Sequence, residues 1–227
     1  MKIGGFLKLS TIDYPGKVSS VIFTQGCNFA CPYCHNYKLI HEEGKLIDNC
    51  YVISTIYKRR ALIDAVTISG GEPTIQSGLS EMCQELKDMG LQVKLDTNGS
   101  NPAILQSLID NHLVDFVSMD IKTPIDDYCF APKDFSPQIK KSIEILLGSP
   151  VDYEFRTTCV SPFVCKENAA RIGQDIKGAK KMVLQQARSH DVFSPIFFTG
   201  EGRILSLGEI MKIQEIINPY VELCEVR

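Results

Sequence analysis

The chain lacks any apolar run near the roughly 18 residues of a membrane span. Its first eight residues, MKIGGFLK, lack the roughly 7–15-residue apolar stretch of a secretory signal, because Lys8 interrupts them and no small-residue cleavage site follows. Cytoplasmic location and no membrane partner are therefore expected. Charge of one sign is also scarce: 24 Lys and Arg oppose 27 Asp and Glu, for a net charge of −3. That balance argues against a polyanion-coating surface, so nucleic acid is not an expected ligand. No Gly/Ser-rich linker, low-complexity tract or fixed-period repeat divides the sequence. What is present is ordinary globular material, 44% apolar and 22% charged with 16 Gly and 11 Pro. A chain of 227 residues buries roughly 70–75% of its unfolded surface, so disulfides are not needed to hold a core together.

Strand-like and helix-like segments alternate. Residues 18–24, 65–69, 91–96, 116–121, 153–160, 181–185 and a short 221–224 are rich in β-branched or aromatic residues and read as strands. Between them, 52–60, 79–89, 102–111, 137–147, 168–176 and 207–217 show apolar spacings of three and four and read as helices. Strand then helix, repeated about six times, is the pattern of parallel βα units. The chain is read as one α/β domain of mainly parallel strands, and periodicity leaves open whether they close toward a barrel or form a doubly wound sheet. Either way ligands sit at the carboxyl ends of strands. The loops beginning at Cys27, Gly70-Gly71-Glu72-Pro73, Asp96-Thr97-Asn98-Gly99 and Asp120-Ile121-Lys122 each follow a predicted strand, so all four are expected on that rim.

Nine cysteines is an odd count for a complete disulfide framework. Three are grouped, Cys27, Cys31 and Cys34; the other six, at 50, 83, 129, 159, 165 and 224, lack C-x-x-C pairing and read mostly as small buried hydrophobes. The spacing lets three thiolates wrap a compact metal centre. Zinc ordinarily takes four closed ligands, or three plus water; a cubane iron–sulfur cluster with three cysteines leaves one iron open for substrate or cofactor. His35 could complete a Cys3His zinc site, but its adjacency to Cys34 makes joint chelation awkward. Iron–sulfur, zinc and no metal all stay open on spacing alone.

The run Cys27-x-x-x-Cys31-x-x-Cys34, with Tyr33 before the third cysteine, resembles the signature of radical S-adenosylmethionine (SAM) enzymes. The flanking text, Ser10-Thr11-Ile12-Asp13-Tyr14-Pro15-Gly16, Val21 to Asn28 and Tyr33-Cys34-His35-Asn36, resembles the activating enzymes of glycyl-radical proteins, most closely those of anaerobic ribonucleoside-triphosphate reductase. The resemblance implies a partial (β/α)6 barrel of mainly parallel strands, made of an N-terminal extension (1–17), a barrel core (18–186) and a C-terminal segment (187–227). It implies a [4Fe–4S] cluster on Cys27, Cys31 and Cys34, with SAM at the open iron. Tyr33 and His35 would lie by the adenine, Gly70 and Gly71 by the methionine moiety, and Glu72 by the SAM ammonium. Asp96, Thr97 and Asp120 fall where oxygen ligands of a monovalent cation are placed, and Lys122 and Arg156 suit the methionine carboxylate. No side chain is assigned as general acid or base. The implied partners are a glycyl-radical enzyme chain and an electron donor such as flavodoxin or ferredoxin.

Three departures qualify this. Tyr14 stands where formate-lyase activases usually have Gly. The stretch Val183 to Arg188 has no His for the ribose, which leaves Gln185 or Arg188 as substitutes. No pair of ferredoxin-like clusters is inserted, so one cluster is expected, and a second-metal role is open to Cys159 and Cys165. Asp96 and Asn98 are also ordinary turn formers. His41, His112 and His190 read as surface or internally satisfied histidines. The alternatives to a reductase activase are an activase of formate acetyltransferase or another glycyl-radical enzyme, a small-molecule radical enzyme as in deazaguanine synthesis, and a zinc-stabilised binding protein without radical chemistry.

Overall fold

The computed structural model describes residues 1–40, 44–188 and 192–227, so His41 and His190 lie outside the described residues. The chain forms two compact units. The first comprises Met1–Asn28, Asn36–Thr97 and Ala103–Val117; the second comprises Phe29–His35, Asn98–Pro102 and Ser118–Arg227.

In the first unit, β1 (Ile3–Ser10) runs antiparallel to β2 (Ser19–Thr24), and β2, β3 (Ala65–Gly70) and β4 (Gln92–Thr97) follow in parallel, with Ile22 opposite Ile68 and Ile68 opposite Leu95. These parallel strands are almost wholly buried, which explains their dense β-branched composition. The connections are α1 (Asn49–Arg59), α2 (Leu79–Asp88) and α3 (Pro102–Asp110). Asp48 caps α1 by accepting the Tyr51 N–H at 2.8 Å. The buried Leu79, Met82, Cys83 and Leu86 give α2 a single apolar stripe. Past the end of α3, His112 is exposed at φ 55°, the left-handed residue that commonly closes a helix.

Within residues 1–17, β1 pairs along β2. The Gly4-Gly5 pair and Lys8 interrupt the alternation by which a strand is read from sequence. The Ser10 to Gly16 run then turns under the sheet. Thr67 Oγ1 donates to the Asp13 carbonyl at 3.4 Å, and the Tyr14 hydroxyl donates to Gln92 Oε1 at 3.0 Å. Tyr14 is 4% exposed, with its ring 5.8 Å from that of Phe116. Its place in the sequence is thus explained by packing.

In the second unit, β5 (Phe116–Asp120), whose last three residues belong here, lies beside β6 (Asp152–Ser161), followed by β7 (Met182–Gln186), with β8 (Arg203–Ile204) antiparallel to β6 and β9 (Cys224–Val226) parallel to β7. The helices are α4 (Ser136–Leu147), α5 (Ala169–Asp175), α6 (Pro195–Thr199) and α7 (Leu207–Ile217). A capping box of Ser206 and Glu209 starts α7, whose Ile210, Ile213 and Ile217 are buried. The expected final strand at 221–224 sits later, at Cys224–Val226, after a short 3-10 turn at Asn218–Tyr220. Among the described residues, no helix is long and apolar enough to cross a membrane.

Candidate active site

In the first unit the cysteine loop leaves the end of β2 and is tied to the glycine turn that ends β3. Gly71 N–H donates to the Thr24 carbonyl and Glu72 N–H to the Gly26 carbonyl, each at 2.9 Å, and Gly26 N–H donates to Leu39 at 2.6 Å. The Asn36 side-chain amide donates to the Gly70 carbonyl at 3.0 Å, and the Gln76 amide to the Gln25 carbonyl at 2.8 Å. The backbone on both sides of Cys27 is thereby fixed. Gly70, at φ 109°, has the Thr24 and Phe23 backbone where a Cβ would stand, and a Cβ on Gly71 would run into the Gly26 carbonyl. Both glycines are therefore already required by the chain's own backbone, before any ligand approaches.

Glu72 is fully buried, and its Oε1 accepts from Thr74 N–H at 3.0 Å, the Thr74 hydroxyl at 2.6 Å and the Thr97 hydroxyl at 2.7 Å. Asp96, one face over on the same strand, accepts from the Ser69 hydroxyl at 2.9 Å and pairs with Lys94. Lys94 is 2% exposed. Sequence reasoning passed over it, although its spacing of two from Asp96 on a strand puts the two side chains on one face.

In the second unit the remaining cysteine-loop residues are clamped from two sides. Ala30 N–H donates to the Phe130 carbonyl at 2.8 Å; Phe193 N–H donates to Cys34 at 3.0 Å and Ser194 N–H to Pro32 at 2.9 Å. Tyr33 is buried, with its ring 6.1 Å from Phe130 and 5.7 Å from Phe163. Burial, and then the neighbouring Cys31, raise its phenol well above the usual range. His35 is exposed. At the end of β5, Asp120 takes two cations: Arg156 at 3.1 Å on one oxygen and Lys122 at 3.2 Å on the other. Burial alone would lower the Lys122 ammonium, but Asp120, followed by Cys31, Tyr33 and Tyr128, outweighs it and holds the ammonium well above its ordinary value. The Lys122 N–H donates to the Tyr128 hydroxyl at 2.9 Å. Register places Gln185 opposite Thr158, two residues beyond Arg156, so Gln185 shares the Arg156 face; Arg188 is exposed past the end of β7. Asn98 is a turn former, its side chain accepting Ser100 N–H at 2.9 Å.

Of the three grouped cysteines, Cys31 is buried and Cys27 and Cys34 are partly exposed. Among the described residues no three His, Cys, Asp or Glu side chains are arranged to hold a single metal ion. Soft thiols on loop backbone held by hydrogen bonds within each unit have the chemistry that iron–sulfur clusters take as ligands. The hard-oxygen set expected for a monovalent cation fits less well, because Asp96 and Asp120 each already carry a cation of the chain's own.

The radical SAM superfamily model matches residues 21–170. This chain belongs to the radical SAM superfamily. A protein of Methanocaldococcus jannaschii assigned to the glycyl-radical enzyme activating enzymes is 35% identical over 224 residues, covering 92% of this chain and 91% of the relative. The pyruvate formate-lyase-activating enzyme of Staphylococcus aureus is 37% identical over 97 residues, covering 40% of this chain and 38% of that one. The structure of a domain of the pyruvate-formate lyase-activating enzyme from Bacteroides vulgatus is similar in fold, with TM-score 0.55 at 15% identity, covering 72% of this chain and 98% of that chain. The radical SAM chain is thus an enzyme of the glycyl-radical activating class, and a [4Fe–4S] cluster and SAM come with its family. Its α/β fold of mainly parallel strands agrees with the partial (β/α)6 barrel expected from the sequence.

Proposed function

We propose that this radical SAM enzyme installs the glycyl radical on anaerobic ribonucleoside-triphosphate reductase. The observation that carries the reading is the text around the cluster loop, residues 10–16, 21–28 and 33–36, which resembles reductase activases more closely than formate-lyase activases. When bound, the [4Fe–4S] cluster and SAM would together supply the one-electron reductive chemistry that removes a hydrogen atom from the target glycine Cα. The residues of this chain do the positioning. Cys27, Cys31 and Cys34 hold the cluster, and the Gly70-Gly71-Glu72 turn fixes the backbone that carries Cys27. Tyr33 and its phenylalanine neighbours exclude water beside Cys31 and Cys34. Glu72 serves the SAM ammonium, Lys122 and Arg156 its carboxylate, and His35 and Gln185 its nucleoside end. A flavodoxin or ferredoxin in the cytoplasm delivers the electron.

A second reading, activation of formate acetyltransferase, is favoured by the 97-residue match to the S. aureus enzyme. The two are separated by incubating the reduced, cluster-loaded protein and SAM with each candidate chain and recording the glycyl radical doublet by paramagnetic resonance. A doublet on the reductase is expected, and it vanishes when any of Cys27, Cys31 or Cys34 is replaced by Ala. A doublet only on formate acetyltransferase overturns the first reading; SAM cleavage with no doublet on either overturns both.

A further inference from the structure

We propose that this enzyme binds SAM without any monovalent metal cation, because Lys94 is a built-in ammonium that stands at Asp96 where such an ion would otherwise be needed. Two carboxylates, Asp96 and Asp120, are the charged members of the oxygen set that would attract the ion, and in each unit separately the chain has neutralised its own.

In the first unit the Lys94 ammonium pairs with Asp96 Oδ1, and the Ser69 hydroxyl donates to Oδ2 at 2.9 Å, so both carboxylate oxygens are engaged. The Lys94 side chain is 2% exposed and that of Asp96 13%. Moving the ammonium aside for a metal ion would separate a buried charge pair, which is costly. An ion arriving beside it would meet a like charge in a medium that screens poorly. In the second unit Asp120 accepts from Arg156 on one oxygen and from Lys122 on the other, at 3.1 and 3.2 Å, with those side chains 16% and 15% exposed. The Thr97 hydroxyl donates its proton to Glu72 at 2.7 Å and so offers only the lone pairs of a neutral oxygen, with no charge to attract an ion.

A tethered ammonium and a potassium ion carry the same charge and are satisfied by the same kind of oxygen donors. The difference is that the ammonium cannot dissociate, so its contribution does not depend on the salt in the medium. The chemistry therefore predicts an enzyme indifferent to which monovalent cation is supplied, and a variant that becomes dependent on one when the ammonium is removed.

The test uses the cluster-loaded enzyme and measures SAM dissociation constants at one ionic strength in potassium, sodium or choline chloride. Equilibrium dialysis against rubidium, without SAM, is run alongside as a direct probe of cation binding. For the wild type, the three constants should agree within about twofold and no stoichiometric rubidium should bind. Lys94→Met should weaken SAM binding about tenfold in choline, recover in potassium and take up one rubidium per chain. Lys94→Gln, which keeps a hydrogen-bond donor but no charge, should behave alike and serves where the methionine variant does not fold. A wild type that binds one rubidium, or whose SAM affinity falls tenfold in choline, overturns the proposal, as does a folded Lys94 variant indifferent to potassium. The rubidium result decides the matter even if SAM fails to bind.

Discussion

Replacing Gly71 by Ala tests whether the glycine turn acts through the chain's own backbone. The ideal Cβ would lie 2.7 Å from the Gly26 carbonyl carbon, inside the 3.4 Å at which ordinary contact begins, and closer still to the carbonyl oxygen. The Gly26 peptide would have to recede by about 1 Å. That movement breaks or stretches the bond from Glu72 N–H to the Gly26 carbonyl, now 2.9 Å. Leaving one buried backbone group unpaired costs about 1–3 kcal/mol, which for a chain of this size lowers the melting temperature by roughly 2–12 °C. The decisive consequence lies one residue on, at Cys27: iron and sulfide content after anaerobic reconstitution should fall well below the wild type. Gly90→Ala is the control. Gly90 sits at φ 79° with nothing within 4 Å of its Cβ position, so it costs only left-handed backbone strain of about 1–2 kcal/mol. It should destabilise the protein and still load a full cluster. A Gly71→Ala protein with wild-type iron, sulfide and SAM affinity would refute the claim that this turn fixes the Cys27 backbone.

Three further outcomes follow from the same structure. Tyr14→Phe removes the 3.0 Å bond to Gln92 while keeping the ring on Phe116; calorimetry should show a loss of about 1 kcal/mol, with SAM affinity unchanged, and an altered affinity would mean that Tyr14 does more than pack. The Glu209 carboxyl is held at about 2 by its hydrogen bonds from Arg203 and then from Ser206. A lowered carboxylate stabilises the fold above its unfolded value of about 4.3 and ceases to do so as pH falls through the folded value. The melting-temperature gap between wild type and Glu209→Gln should therefore be flat from pH 8 to 5, shrink below about pH 4 and close near pH 2; a gap that closes by pH 5 contradicts the capping role. Burial pushes the Cys83 and Cys159 thiols up to about 12, whereas Cys50 and Cys129 are exposed. Iodoacetamide at pH 8 should thus modify Cys50 and Cys129 in the folded chain and reach Cys83 and Cys159 only after denaturation, as peptide mass mapping will report.

The βα alternation was legible because hydrophobic periodicity is a local property. The stretch at 79–88 shows it, where four buried residues at helical spacing are readable without a neighbour. β1 was not, since Gly4-Gly5 and Lys8 break the pattern and its identity comes from pairing with β2. The cysteine loop and the glycine turn were legible as motifs, but the reason for the glycines was not. That reason is the approach of Gly71 to Gly26, 45 residues earlier in the numbering, and distance along a sequence says nothing about approach in space. Charges show the limit most clearly. Asp120 and Lys122 could be placed at a strand end and Arg156 within a strand, and each was assigned to an external ion or ligand; that they satisfy one another follows only from the contact of β5 with β6. Lys94 is the converse case. A lysine in Val-Lys-Leu-Asp-Thr reads as a solvated strand residue by composition, and only the alternation rule, applied to the pair 94 and 96, would have put the ammonium beside the aspartate. A strand carrying Lys and Asp two apart, inside an otherwise apolar parallel sheet, is therefore better read as a buried pair than as two exposed charges, because neither could be buried alone.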